Sequence, residues 1–243
     1  MITLCKTESE LDFLPCDAFA ARITALALTY GTQQNFALFW VQSIENKPVA
    51  AISRVDGNMT LCCTENTDFE ELAAFVNAVG YSSVTANLQT LELLNFKHSD
   101  SSYIVEYKGE NCCSEDGILW DCNKKDVYNL LLDCGFEMGD YGAFLADYCS
   151  RLNKGTARLA AFEENGLLAC ASALFIGKKC VLLGAVATKE SARGRGLASK
   201  LVTALAEKEK DKKVFLFCRN DGLLGFYEKM GFECVGRWAD IKN

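Results

Sequence analysis

The run Cys180-Val181-Leu182-Leu183-Gly184-Ala185-Val186-Ala187 leads, through Thr188-Lys189-Glu190, into Ser191-Ala192-Arg193-Gly194-Arg195-Gly196-Leu197-Ala198-Ser199. The first stretch is unbroken and apolar, the pattern of a buried strand. After the second, Leu197, Leu201 and Leu205 recur every four residues with Ala198 and Val202 beside them, which places them on one face of a helix. A glycine-rich loop with two arginines therefore joins a strand end to a helix start. Exposed backbone N–H groups and the positive end of the helix dipole make such a junction an anion site. The expected ligand is phosphorylated.

Downstream, residues 214–218 read as another strand, 223–230 as a short helix, and 232–238 as a last strand. Strand, crossover helix and parallel strand over 180–218 form a βαβ unit. Upstream, strands at 157–162 and 167–175 flank Glu163-Glu164-Asn165-Gly166, a hairpin-like turn. Two helical patterns precede them, one on Val127, Leu130, Leu131 and Cys134, the other on Phe144, Leu145, Tyr148 and Leu152. The polar stretch 108–117 marks a boundary. Before it, a helix at 18–30 is followed by strands near 36–45 and 48–55, an apolar run at 59–63, a helix at 69–79, a strand at 82–86, a short helical piece at 88–96 and a strand at 103–107. The order strand, helix, strand, short helix, strand thus occurs twice, which predicts a tandem duplication. The expected domains are 1–110 and 117–243. The first copy carries Thr64-Glu65-Asn66-Thr67-Asp68 where the second carries its arginine loop, and this acidic run would repel a phosphate. Only the second copy is expected to bind the ligand.

Composition narrows the classes. The chain has 243 residues, half of them apolar, and a net charge of −7. That charge argues against nonspecific binding to nucleic acid or to an anionic membrane. Arg193 and Arg195 form a local basic spot on an acidic chain, which favours a small anionic ligand. The first residues show no secretory pattern, and no apolar run spans a bilayer. The 13 cysteines include the adjacent pairs Cys62-Cys63 and Cys112-Cys113 but no C-x-x-C, and His98 is the one histidine. This spacing fits reduced core cysteines in a cytoplasmic protein and no metal site.

Three nucleotide motifs compete for the loop. A Walker A loop fails because Lys200 lacks the required neighbours, and the dinucleotide fingerprint fails at Ser199. The pattern Arg/Gln-x-x-Gly-x-Gly/Ala is met by Arg193-Gly194-Arg195-Gly196-Leu197-Ala198. One helix and one strand later comes Arg219-Asn220-Asp221-Gly222-Leu223-Leu224-Gly225-Phe226-Tyr227-Glu228-Lys229-Met230-Gly231-Phe232. The two motifs together resemble those of the GCN5-related N-acetyltransferases, over residues 126–238. The first half resembles that family only in element order.

The resemblance implies an acyl-CoA N-acyltransferase fold, a mixed central sheet with flanking helices in two tandem copies. It implies transfer of acetyl from acetyl-CoA to a primary amine of a small molecule or peptide. The backbone of Gly194, Arg195, Gly196, Leu197, Ala198 and Ser199 would hold the pyrophosphate, with Arg193 and Arg195 as charge partners. Val186, Ala187 and Thr188 would line the pantetheine arm where the two parallel strands part, and a backbone N–H near Val186 would polarise the thioester carbonyl. Asn220 would bond the pantetheine or cap its helix. Tyr227 would protonate the leaving thiolate, or else pack in the core. No carboxylate in the strand 181–187 offers a general base. Glu163 and Glu164 lie in a turn, and Asp140, Tyr141 and Asp147 are candidates by position alone. Family members usually add one more strand after 232–238, so the first half or a second chain, as in a homodimer, is expected to cover that edge. The alternatives are a non-catalytic CoA-binding or protein-interaction module and a dinucleotide-dependent oxidoreductase.

Overall fold

The computed structural model describes residues 1–98, 100–109 and 114–243, so Cys112 and Cys113 lie outside the described residues. The elements begin with β1 (Ile2–Leu4), α1 (Ala18–Tyr30), β2 (Ala37–Ile44), β3 (Lys47–Val55), β4 (Asn58–Cys63), α2 (Phe69–Val79), β5 (Ser83–Asn87), α3 (Leu88–Leu93) and β6 (Ser102–Tyr107). They continue with α4 (Lys124–Asp133), α5 (Tyr141–Asn153), β7 (Arg158–Glu163), β8 (Leu167–Ile176), β9 (Cys180–Thr188), α6 (Leu197–Lys208), β10 (Lys213–Cys218), α7 (Asp221–Glu228) and β11 (Phe232–Lys242). The predicted repeat of order is present, β2-β3-β4-α2-β5-α3-β6 against β7-β8-β9-α6-β10-α7-β11. Local chemistry sets the turns. The β7–β8 hairpin turns through Asn165 and Gly166 at positive φ, and the β2–β3 hairpin through Glu45 and Asn46 in the same region.

All strands join one mixed sheet in the order β1-β2-β3-β4-β5-β11-β6-β10-β9-β8-β7. The pairs β4–β5 and β9–β10 are parallel, and every other pair is antiparallel. The expectation of a last strand ending at Trp238 is corrected. Asp240, Ile241 and Lys242 pair with Thr85, Val84 and Ser83, and buried Ala239 and Ile241 anchor the extension. The edge left beside β10 is filled from within the chain, because β6 inserts between β10 and β11. The last strand of each repeated set therefore lies beside the other set's strands.

Helices cover both faces. On one face, Leu201, Val202 and Leu205 of α6 pack on Ala171, Ala173, Val181 and Leu183. On the other, Val127, Leu130 and Leu131 of α4 and Tyr148 of α5 pack on Leu159 and Cys170. The same face carries α1, whose Phe19, Ile23 and Leu26 share a cluster with Phe39, Cys62, Leu182 and Phe215. Strands from both wings of the sheet thus pack on this helix. Cys62 of β4 reaches Asp17 at 3.5 Å, while the neighbouring Cys16 donates to the Lys179 carbonyl beside β9 at 3.2 Å. Asp17 caps α1 by accepting from the Ala20 N–H at 2.7 Å. Among the described residues no helix is long and apolar enough to cross a membrane.

Candidate functional site

The site begins where two parallel strands separate. The β9–β10 ladder runs from Cys180 and Lys213 to Leu183 and Leu216 and then stops. Beyond Leu183, β9 stays with β8, and Ala187 and Thr188 pair with Cys170 and Ala169. Between Gly184 and Ala187, β9 holds one residue more than β8, a bulge that re-aims its backbone. Ala185 sits there at φ +50°, a left-handed conformation that costs a residue with a Cβ about 1 kcal/mol. Such strain persists only where the surroundings impose it, and here it keeps the backbone of 184–188 away from β10.

At the C-terminal end of β9 the chain enters the arginine loop. Gly194 and Gly196 stand at φ +78° and +75°, a region that glycine adopts without penalty. Gly196 is the N-cap of α6 and supplies no capping side chain, so the first N–H groups of that helix are left for a ligand. Arg193 directs its Nε to the Thr188 carbonyl at 3.3 Å, which ties the loop to the bulged strand. Each glycine is open to space on its Cβ side. Their requirement is therefore conformational, not steric.

A cavity of about 670 Å³ occupies the gap. Its walls come from the bulged end of β9, the loop and first turn of α6, Leu216 and Phe217 of β10, α7, and the connection from Cys134 to Phe136. That size suits a cofactor-length ligand. Tyr227 of α7 lines it with 5% of its surface exposed, and its hydroxyl makes no hydrogen bond to any described residue. Burial, reinforced by nearby Cys218, raises the Tyr227 pKa above the ordinary phenol value, so the group is a proton donor at neutral pH. Thr188 Oγ1 is a buried polar atom on this wall without a partner among the described residues.

Val186, Ala187, Thr188, Arg193, Gly194, Gly196, Leu197, Ala198, Ser199 and Tyr227 all face this one cavity. Two of the expected residues do not. Arg195 turns out to Glu164 at 3.0 Å across the hairpin, and Asn220 caps α7 by accepting from the Leu223 N–H at 3.0 Å. Asp140 likewise caps α5, and Asp147 is held by Arg151 and the Tyr30 hydroxyl. Glu163 ends β7 and Glu164 begins its turn. The positions that sequence reading missed are Phe136, Phe217 and Arg219 in the walls and Ala185 at the bulge. A glycine followed by alanine inside an apolar run was the only signal of that bulge.

The corresponding place in the first half is closed. The β4–β5 ladder also stops early, at Thr60 and Thr85, but Leu61, Ala86 and Leu91 pack together there. The next helix is capped by Asp68, which accepts from the Glu71 N–H at 3.0 Å, with Glu70 and Glu71 in its first turn. A carboxylate thus takes the place that an anion would use.

Parting parallel strands, a bulge at the gap and an uncapped helix on a glycine-arginine loop define an acyl-CoA N-acyltransferase fold. Residues 124–232 match the Acetyltransferase (GNAT) family. No curated protein matches the chain in sequence. Solved structures share the fold. An acetyltransferase of the GNAT family from Colwellia psychrerythraea is 12% identical with a TM-score of 0.56, covering 100% of this chain and 99% of its own. A GCN5-related N-acetyltransferase from Kribbella flavida is 12% identical with a TM-score of 0.58, covering 92% of this chain and 95% of its own. A tandem GNAT protein from the clavulanic acid biosynthesis pathway is 12% identical with a TM-score of 0.56, covering 99% and 97%.

Proposed function

We propose that the chain is a cytoplasmic, tandem N-acetyltransferase that moves acetyl from acetyl-CoA to a primary amine through a single cofactor site in residues 117–243. The reading rests on one juxtaposition. An uncapped helix start, the bulged strand and a buried tyrosine whose hydroxyl bonds to no described residue line one cavity. The N–H groups at the start of α6 and the Arg193 guanidinium bind the pyrophosphate. The backbone of Val186 to Thr188, freed from β10, pairs with the pantetheine arm, and an N–H near Val186 stabilises the oxyanion as the amine attacks. The thioester supplies the activated acetyl group. Tyr227 donates its proton to the departing sulfur, a thiol of ordinary pKa about 8.5, and the proton lost by the attacking nitrogen returns to the Tyr227 phenolate through water. Asn220 serves the fold by capping α7, and Arg195 contributes charge from outside the cavity. The first copy, residues 1–110, acts as scaffold by supplying β6 beside β10 and α1 across the concave face.

The test is release of free thiol from acetyl-CoA by the full chain with a panel of primary amines. Amine-dependent release with one acetylated product per thiol is expected. Tight binding of acetyl-CoA without turnover on any amine would leave a CoA-binding module instead.

A further inference from the structure

On the α1 side of the parting strands lies an arginine that forms no ion pair with a described carboxylate. Two guanidinium groups stack against the Phe175 ring, Arg22 of α1 at 5.4 Å and Arg151 of α5 at 4.8 Å. Arg151 is satisfied, since it ion-pairs with Asp147 and donates to the Leu174 carbonyl at 2.7 Å. Asp147 also receives the Tyr30 hydroxyl, and it attracts Arg22 without forming an ion pair with it. Arg22 forms no ion pair with a described residue, and its buried Nε has no acceptor. Burial, with Arg151 beside it, lowers the Arg22 pKa to about 10, which leaves it cationic at neutral pH. Asp240 on β11 attracts it from beyond ion-pairing distance. An unpaired buried cation is costly to hold, and a bound anion would offset that cost.

The place adjoins the transfer site through packed rings. Phe217, in the cavity wall, stacks on Trp238 with ring centroids 4.3 Å apart and touches Phe19 at 5.6 Å. Arg22 follows Phe19 by one helical turn on α1. Phe175, beneath Arg22, pairs with Leu182, which precedes the parting at Gly184. Trp238 Nε1 is a second buried donor without a partner. Two unused donors and a stacked aromatic floor thus lie behind Phe217, one ring away from the cavity.

We propose that the acceptor amine also carries a carboxylate, bound by Arg22 with Trp238 Nε1 as a further donor, so that amino acids or related amino-carboxylates are the substrate class. This rests on the transferase reading above. The amine end would point to the gap between β9 and β10 and the carboxylate end to α1. The first half of the chain would then select the acceptor while the second binds the donor.

The experiment is a steady-state comparison, on the full chain at saturating acetyl-CoA, of free amino acids with their carboxamides. The carboxylates should be preferred at least about tenfold in kcat/KM, carried mainly by KM, as expected for a charge-assisted contact. Arg22→Gln should erase the preference and Arg22→Lys retain part of it. Equal use of carboxylate and carboxamide by the wild type would overturn the proposal without any variant. So would a preference that survives in Arg22→Gln. If no member of the panel is turned over, N-acetyl amino acids and their amides are titrated into the chain with CoA present, and absence of carboxylate-dependent binding overturns it. Failure to bind acetyl-CoA at all would instead sink the transferase reading. Acetyl-CoA-dependent turnover of amines without a carboxylate preference sinks only the acceptor assignment.

Discussion

Replacing Tyr227 by Phe separates chemistry from folding, and the structure sets the size of each effect. Tyr227 is buried, yet its hydroxyl bonds to no described residue. Removing it therefore breaks no hydrogen bond and leaves the ring packed between Phe226 and Phe232, at 5.2 and 5.7 Å. With no protein partner to lose, and on a residue that lines the cavity, the hydroxyl can go with a stability change within about 1 kcal/mol. For a chain of this size that keeps Tm within about 2–4 °C of the wild type. Catalysis should fall. Loss of a general acid typically lowers kcat about 10²–10⁴-fold, or about 2.7–5.4 kcal/mol of barrier. The raised pKa keeps the phenol protonated through the neutral range, so the loss should be constant from about pH 6 to pH 8. The measurements are thiol release at saturating acetyl-CoA, a melting curve and a calorimetric titration of the cofactor. Unchanged kcat with unchanged stability would refute the role of Tyr227. Parallel losses of kcat and Tm would make it a packing residue.

Other outcomes follow from the same geometry. Arg193→Glu should weaken acetyl-CoA binding at least about tenfold, since it reverses the charge beside the uncapped start of α6; calorimetry showing wild-type affinity would contradict the loop's role. Gly196→Val should weaken binding too, and its φ of +75° adds about 1–2 kcal/mol of strain, seen as a Tm lower by a few degrees. Gly177→Ala should destabilise by about 1–3 kcal/mol, because an added Cβ would stand 2.3 Å from Thr24 Oγ1 on α1; an unchanged melting curve would mean that α1 is not seated there. Asp17 is raised above the ordinary carboxyl range by burial, against the lowering effect of the Ala20 N–H. The folded chain then holds that proton more tightly than the unfolded chain, so stability falls as pH rises from the ordinary Asp value of about 4 through the folded value. Asp17→Asn keeps a capping oxygen, and its gain over wild type should be present at pH 7 and absent near pH 3; an equal difference at both would contradict this reading.

What could be read from the sequence was what local chemistry encodes. The loop from Arg193 to Ser199, the hairpin at Asn165-Gly166 and the position of Tyr227 each follow from a few adjacent residues or from helical spacing. What escaped depends on pairings between distant segments. The exchange of β6 and β11 turns on Trp238 to Lys242 finding Asn87 to Ser83, a choice between sheet edges that no periodicity reports. Arg195 looked like a phosphate ligand until Glu164, across the hairpin, was seen to claim it. Asn220 satisfied two readings equally, and the cap of α7 is the one its geometry displays. Arg22 carried no signal because its meaning lies in residues it lacks. Only the three-dimensional placement of Asp147 on Arg151 leaves it unpaired.

The central claim is that two similar frames hold one working cofactor site. Calorimetric titration of acetyl-CoA into the full-length chain tests it most directly. One molecule bound per chain is predicted, because Asp68 and the packed Leu61, Ala86 and Leu91 close the first frame while Gly196 leaves the second open. Two molecules per chain, or none, would contradict it.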